Sequence, residues 1–207
     1  MKHDLTYRKN PTNVFLLIAG LILWETMLFS QENLSFVNID QNLGFSDEEI
    51  MTRSLSHEGD FSAIKAVMQK AEKGEDIVIG AIGGSITMGA AASTAPENRY
   101  VNLVARWFCH KYPNSRVYLY NAGIGATNSK FGALRAEKDL LQYHPDLVIF
   151  EYSVNDNTNE RALSGSEGLI RQILGSENRP GLIMVGMMNQ WGENVQQKHL
   201  PLARYYD

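Results

Sequence analysis

Ser85 follows two glycines at the end of a short apolar run, Ile77-Val78-Ile79-Gly80-Ala81-Ile82-Gly83-Gly84. Glycines there let the backbone turn tightly off a strand and leave the serine hydroxyl projecting from the turn. That is a position for a nucleophile. Taken alone, the segment reads equally well as an ordinary glycine-rich strand-to-helix turn. Two further stretches of small and polar residues also follow apolar runs: Asn121-Ala122-Gly123-Ile124-Gly125-Ala126-Thr127 and Ser153-Val154-Asn155-Asp156-Asn157. Acyl transfer by a serine needs donors aimed at the oxyanion that develops on the carbonyl. The Ser85 N–H, a backbone N–H of Gly125 or Ala126, and the carboxamide of Asn155 are donors of that kind. Gly84 supports the turn, and Asp156 reads as the group that orients the third stretch.

Rival chemistries fit worse. Gly83-Gly84-Ser85-Ile86-Thr87 is not G-x-S-x-G, no lysine follows the glycines as in a phosphate-binding loop, and the spacing is not G-x-G-x-x-G. No cluster of His, Asp or Glu has metal-ligand spacing, so neither a metal nor an organic cofactor is implied. Asn189, Gln190 and Trp191 follow a fourth apolar run and are candidates for lining a substrate pocket; a polar loop with one packed tryptophan is the alternative. Arg135 and Asp139, one helical turn apart, read as a solvated ion pair.

These residues matter only if the fold gathers them. Helical spacing of apolar residues runs from Phe61 to Ala71, with Gly74 closing it. Asp76 to Ile82 reads as a strand. Glu97 to Tyr112 is a helix stopped by Pro113, Arg116 to Tyr120 a strand, and Ser129 to Tyr143 a helix stopped before Pro145. Leu147 to Tyr152 is a strand, Ser164 to Leu174 a helix, Leu182 to Met187 a strand, and a helix closes residues 191–206. Strands apolar on both faces that alternate with helices predict a three-layer α/β/α, doubly wound parallel sheet. In such a sheet every strand ends on the same edge, where ligands bind at the switch in strand order. All three polar stretches fall on that edge.

At 207 residues, 44% hydrophobic and 20% charged, the chain has the composition of a globular protein. Net charge is −4. The first ten residues carry Lys2, Arg8 and Lys9 against Asp4, a net +2, which leaves −6 for the rest. A mildly acidic body without a basic run argues against nucleic acid as a partner. Cys109 is the one cysteine, so no intrachain disulfide forms, and its helical setting reads as a buried small apolar residue. The basic start precedes the apolar run from Val14 to Trp24, the order of a signal peptide. The reading is therefore an export segment over residues 1–30 that stands outside the fold, a linker over 31–58, and the catalytic domain over 59–207. An uncleaved signal anchor, holding the protein to a membrane through residues 13–29, is the alternative. Either way the protein is expected to be secreted or membrane-anchored outside the cytoplasm, and a disulfide-free exported protein fits a bacterial setting.

Gly-Gly-Ser-Ile-Thr at 83–87 resembles the first block of the SGNH (GDSL-type) hydrolases, Asn-Ala-Gly-Ile-Gly-Ala at 121–126 their second, and Ser-Val-Asn-Asp at 153–156 their third. Order and spacing agree over roughly residues 58–207, and the resemblance is to the carbohydrate-esterase-like branch. It implies a flavodoxin-like sheet, Ser85 as nucleophile, and the Ser85 N–H, a second-block N–H and Asn155 as oxyanion donors. The implied substrate is a small-molecule or polysaccharide ester, with a short acyl group such as acetyl on carbohydrate. Lipid-ester hydrolysis on the same fold and a non-catalytic glycan-binding module are the alternatives. Gly84 stands where the GDSL pattern has aspartate, Ala126 where the second block has glycine, and Ser153 where the third has glycine; Ser153 is expected to crowd the pocket slightly.

The family's Asp-x-x-His block is absent from the sequence, and a serine without a base is a weak nucleophile. The expectation is a chain that lacks its last strand and is inactive as given, a fragment of a longer hydrolase, with the strand at 182–185 left as an exposed apolar edge. Of the histidines present, His199 is placed by helix geometry roughly 12–15 Å from the active edge. His110 and His144 read as surface or capping residues, His3 precedes the apolar run, and His57 could act only by folding over the site.

Overall fold

In a computed structural model of the chain, the structure describes residues 5–7, 47–157 and 160–207. Residues 1–8 and 59–207 form one compact unit, and residues 9–58 form another. In the second unit a helix, α1, spans Asp47–Ser54, within the segment read as a linker. Its Asp-Glu-Glu opening supplies the acidic first turn that favours a helix start, a signal the polar composition masks.

The first unit follows the predicted alternation. Its elements are β1 (Leu5–Tyr7), α2 (Ser62–Glu72), β2 (Ile77–Gly83), α3 (Ser85–Met88), α4 (Tyr100–Lys111), β3 (Val117–Gly123), α5 (Ser129–Asp139), β4 (Leu147–Glu151), α6 (Glu160–Leu174), β5 (Gly181–Met184) and α7 (Gln196–Tyr205). The sheet runs β1-β3-β2-β4-β5. The four longer strands are parallel, and β1 adds antiparallel to the outer side of β3, Leu5 opposite Leu119 and Tyr7 opposite Val117. The segment read as an export signal therefore does not stand wholly outside the fold, because Leu5–Tyr7 extend the sheet. The apolar run at 14–24 lies outside the described residues.

Alternation along the strands builds two cores. Ile77, Ile79, Ala81, Val117, Leu119, Leu147 and Ile149 face α2 and α4, where Val67, Ala71, Val101, Ala105 and Phe108 cover them. Ile82, Ala122, Val148 and Phe150 face the opposite layer, which supplies Ala136, Leu140, Leu169, Ile170 and Ile173. Each fully buried Ile, Leu or Phe stabilises the fold by about 1.5–3 kcal/mol relative to exposure. Gly80 is required by this packing, since a Cβ there would meet Leu140 Cγ at 3.3 Å and Pro145 Cβ at 3.4 Å.

Element ends differ from the predicted ones where local geometry intervenes. The predicted helix at 97–112 begins only at Tyr100, because Arg99 is extended (φ −65°, ψ 139°). The predicted helix from Ser129 to Tyr143 breaks at Leu140 (φ −137°), and a 3-10 turn covers Leu141–Tyr143. The β2 and β3 strands end one and three residues later than predicted, at Gly83 and Gly123. Gly83 pairs with Gly123 on one side and with Glu151 on the other. That register makes the three polar stretches leave the sheet side by side.

Candidate active site

The first stretch turns sharply at Gly84 (φ −85°, ψ −148°), and Ser85 opens the four-residue helix α3. The Gly84 N–H bonds to the Glu151 carbonyl at 3.3 Å, so the turn is anchored to the end of β4. The Ser85 carbonyl accepts the N–H of Gly89 at 3.0 Å and of Ala90 at 2.8 Å. Ser85 is half-buried, and its Oγ has no hydrogen-bond partner among the described residues.

The second stretch is built against α3. Asn121 Nδ2 donates to the Thr87 carbonyl at 2.7 Å, and its Oδ1 accepts the Gly123 N–H at 2.9 Å. A Cβ on Gly123 would lie 2.6 Å from Thr87 C and 2.8 Å from Met88 Cα, so only glycine lets β3 come this close to α3. A Cβ on Gly125 would sit 3.9 Å from Ser85 Cβ, which places this turn beside the serine. Ala126 takes φ +58°, a left-handed backbone that costs an alanine about 1–2 kcal/mol.

The third stretch is a turn in which the N–H groups of Asn155 and Asp156 both bond to the Tyr152 carbonyl, at 3.0 and 2.8 Å. The Asn155 carboxamide lies against Gly84, where a Cβ would meet Asn155 Cγ at 2.7 Å and Nδ2 at 3.1 Å. Any side chain at Gly84 therefore displaces Asn155, and the glycine in place of aspartate is a requirement of this site. Asn155 Oδ1 is buried without a hydrogen-bond partner among the described residues. A buried polar atom left unpaired is uncommon enough to mark a site that accepts a ligand or holds strain.

Two buried carboxylates tie these turns together. Asp156 Oδ1 accepts the Ser129 N–H at 2.8 Å, and its Oδ2 accepts from Ser166 Oγ at 2.7 Å and from His199 Nε2 at 2.9 Å. Burial pushes this carboxyl up, but the bonds from His199, Ser129 and Ser166 outweigh it and hold it below the usual carboxylate range. Asp156 thus joins the third turn to the start of α5, which follows directly on the second stretch. Glu151 is fully buried at the end of β4 and bonds to Thr87 Oγ1 at 3.3 Å. Sequence reading passed over it; the available signal is a single acid in an otherwise apolar strand. Ser153 does not crowd the pocket: it is fully buried, and its hydroxyl donates to the Met187 carbonyl at 2.9 Å.

His199 is not 12–15 Å away. The Val195 N–H bonds to the Ser153 carbonyl at 2.8 Å, so α7 starts under the third turn and delivers His199 into the Asp156 cluster. There it packs edge-on against Phe150 and makes no bond to Ser85. Arg135 is not solvated either. It is 8% exposed and donates to the Tyr152 hydroxyl at 3.0 Å as well as to Asp139 at 3.3 Å. Cys109 is half-buried beside the α2–α4 core, and burial raises its thiol. His110 is exposed, and His144 ends the 3-10 turn with its side chain 62% exposed. His57 belongs to the unit of residues 9–58. Asn189 is absorbed into its own loop, accepting the N–H of Trp191 at 3.0 Å and of Glu193 at 2.9 Å. Gln190 and Trp191 are exposed, and among the described residues none of these three bonds to the turns around Ser85. No group of three or more His, Cys, Asp or Glu among the described residues could hold a metal ion.

Comparison with known proteins bears on what this edge is. The chain is 40% identical to a two-domain esterase (CEX) active on acetylated mannans, with a TM-score of 0.70, over 72% of this chain and 40% of that one. A second structure of that esterase, co-crystallised with mannopentaose, gives 41% identity and a TM-score of 0.69 over the same shares. The chain therefore spans about 40% of the length of these relatives. AlinE4, an SGNH-hydrolase family esterase, is 20% identical with a TM-score of 0.51, over 64% of this chain and 73% of that one, a likeness of fold. No curated protein matches the chain. The profile of the GDSL-like lipase/acylhydrolase family matches residues 81–203, well over half of the chain and inclusive of all three turns. The chain belongs to the GDSL-like lipase/acylhydrolase family.

Proposed function

We propose that this protein is a serine ester hydrolase that removes short acyl groups, acetyl above all, from carbohydrate. The observation that carries the reading is the placing of Gly125 and Asn155 on either side of the Ser85 turn. Ser85 Oγ attacks the ester carbonyl. The N–H groups of Ser85 and Ala126, or Gly125, together with the Asn155 carboxamide receive the oxyanion. Such donors are fixed before the reaction and cost no reorganisation when charge develops. Gly84 keeps Asn155 in reach, and Asp156 holds the second and third turns together. The acetylmannan activity of the 40%-identical esterase supports an acetylated polysaccharide as substrate.

The reaction also needs a base for Ser85 Oγ–H. His199 is committed to Asp156 and Ser166, and no Asp-x-x-His occurs in the sequence. Without a base among these residues, the 207-residue chain is expected to be inactive or nearly so. The basic start and the apolar run at 14–24 support export, with anchoring through 13–29 as the alternative; N-terminal sequencing of the protein recovered from cells decides between a cleaved and an uncleaved leader. The hydrolase reading is tested on the full-length protein as its cells make it. That protein is expected to release acetate from acetylated mannan, and Ser85→Ala to abolish release. Removing the one donor in Asn155→Ala lowers kcat by roughly 10²–10³-fold. Acetate release unaffected by Ser85→Ala overturns the assignment.

A further inference from the structure

We propose that Glu151 is a positioning residue for the candidate site: its buried carboxyl pins the α3 helix that begins at Ser85 to the turn that carries Asn155. Its Oε2 accepts from Thr87 Oγ1 at 3.3 Å, and Thr87 Oγ1 is in turn 2.9 Å from Tyr100 Oη on α4. Thr87 is fully buried, and its carbonyl carries the bond from Asn121, so it is the one residue of α3 held from both neighbouring strands. On the other side of the carboxyl lie the N–H groups of Ser153 and Val154, the first residues of the third turn. The main chain of Glu151 repeats the link, because its carbonyl accepts the Gly84 N–H at 3.3 Å. The side chain thus spans the first and third turns, and the spacing between Ser85 and Asn155 depends on it.

The groups bonded to this carboxyl all donate to it. Ser153 Oγ has one proton and places it on the Met187 carbonyl at 2.9 Å. Glu151 Oε1 lies 3.5 Å from the same hydroxyl, a longer second acceptor for its proton. Tyr100 is the titratable side chain in this chain of bonds. Its phenol is pushed up by burial first and further by the nearby carboxyl. The remaining groups that meet Glu151 are Thr87, Ser153 and two backbone amides, and among the described residues no Lys, Arg or His pairs with it. Burial pushes the Glu151 carboxyl up, against smaller pulls down from Thr87, Ser153 and Val154. A raised pKa in the folded state means that the stability it supports is full below the ordinary carboxylate range and is lost as pH rises through the raised value.

The inference rests on reading Ser85 and Asn155 as the site, but its test needs no catalysis. Backbone hydrogen exchange is followed in the 207-residue chain at Met88 to Ala90 and at Asn155 and Asp156, corrected for intrinsic rates, from the ordinary carboxylate range upward in pH. Wild type is expected to lose protection there as pH rises, while Leu119 in β3 stays protected. Glu151→Gln, which keeps the shape and cannot ionise, is expected to hold that protection at all pH values. Thr87→Val, which keeps the fold and removes the hydroxyl, is expected to lower it roughly fivefold to tenfold, the worth of about one net hydrogen bond. A flat wild-type profile overturns the proposal, and so does unchanged protection in Thr87→Val. Loss spread equally to Leu119, or Glu151→Gln no better than Glu151→Ala, overturns it as well. Failure of Ser85 to react with an active-site probe while these results hold overturns the reading of the site and leaves the pin standing.

Discussion

Ala126 carries φ +58° at the position where the family's second block has glycine. The left-handed backbone that glycine allows is thus kept, at the strain of a left-handed alanine. Ala126→Gly removes about 1–2 kcal/mol of that strain and returns about 0.4–1 kcal/mol through a freer unfolded chain. The expected net gain is about 0.5–1 kcal/mol, read as a higher urea midpoint with an unchanged slope; a lower midpoint contradicts the left-handed assignment. At this scale the sequence is legible where chemistry forces a residue type. Ser85, Gly84, Gly125 and Asn155 are picked out by glycines and a carboxamide at the ends of apolar runs, and they do meet. Glu151, Thr87 and Ser166 are not legible, because a buried polar residue looks like a solvated one until its partners, far away in sequence, are known. Ser153 misleads for the same reason, since its hydroxyl points into the interior and not into the pocket.

Among elements, the decisive device is Asp156, which ties the third turn to the N-terminus of α5 and to α7. Its carboxyl lies below the usual range in the folded state, so the stability it contributes is present above the ordinary carboxylate pKa and is lost as pH falls through the lowered value. Between about pH 5 and pH 3 the thermal midpoint of wild type is therefore expected to fall more steeply than that of Asp156→Asn. At neutral pH Asp156→Ala is expected to destabilise the fold by about 1–3 kcal/mol for each buried donor it leaves unpaired, the Ser129 N–H, the Ser166 hydroxyl and His199 Nε2. Superimposable acid profiles contradict the clamp. The strands and helices themselves are readable from periodicity, with ends shifted by one to five residues. His199 is misplaced in the sequence reading because a distance counted along a helix axis says nothing of where the helix starts. The bond from Val195 to Ser153 sets that start, and it is a long-range contact with no local sequence signal.

For the molecule as a whole, the parallel order β3-β2-β4-β5 and the two-sided burial follow from strands that are apolar on both faces and alternate with helices. The antiparallel β1 could not be foreseen, because three residues are too short a run to set a strand pattern apart. At the other end, β5 is the edge strand among the described residues, and Ile183 on it is 36% exposed. An apolar edge of this kind templates pairing with another chain, and a lysine blunts it. The 207-residue chain is expected to self-associate in sedimentation velocity, and Ile183→Lys to shift it towards monomer; indistinguishable profiles contradict a role for this edge. The central claim is that the sheet edge presents Ser85 as a nucleophile within a ready oxyanion site. The direct measurement is mass-spectrometric mapping of the adduct left by a fluorophosphonate on the full-length protein as its cells make it. The account predicts a single adduct on Ser85, lost in Ser85→Ala and slowed in Asn155→Ala. A folded protein that carries no adduct, or carries it on another residue, contradicts it.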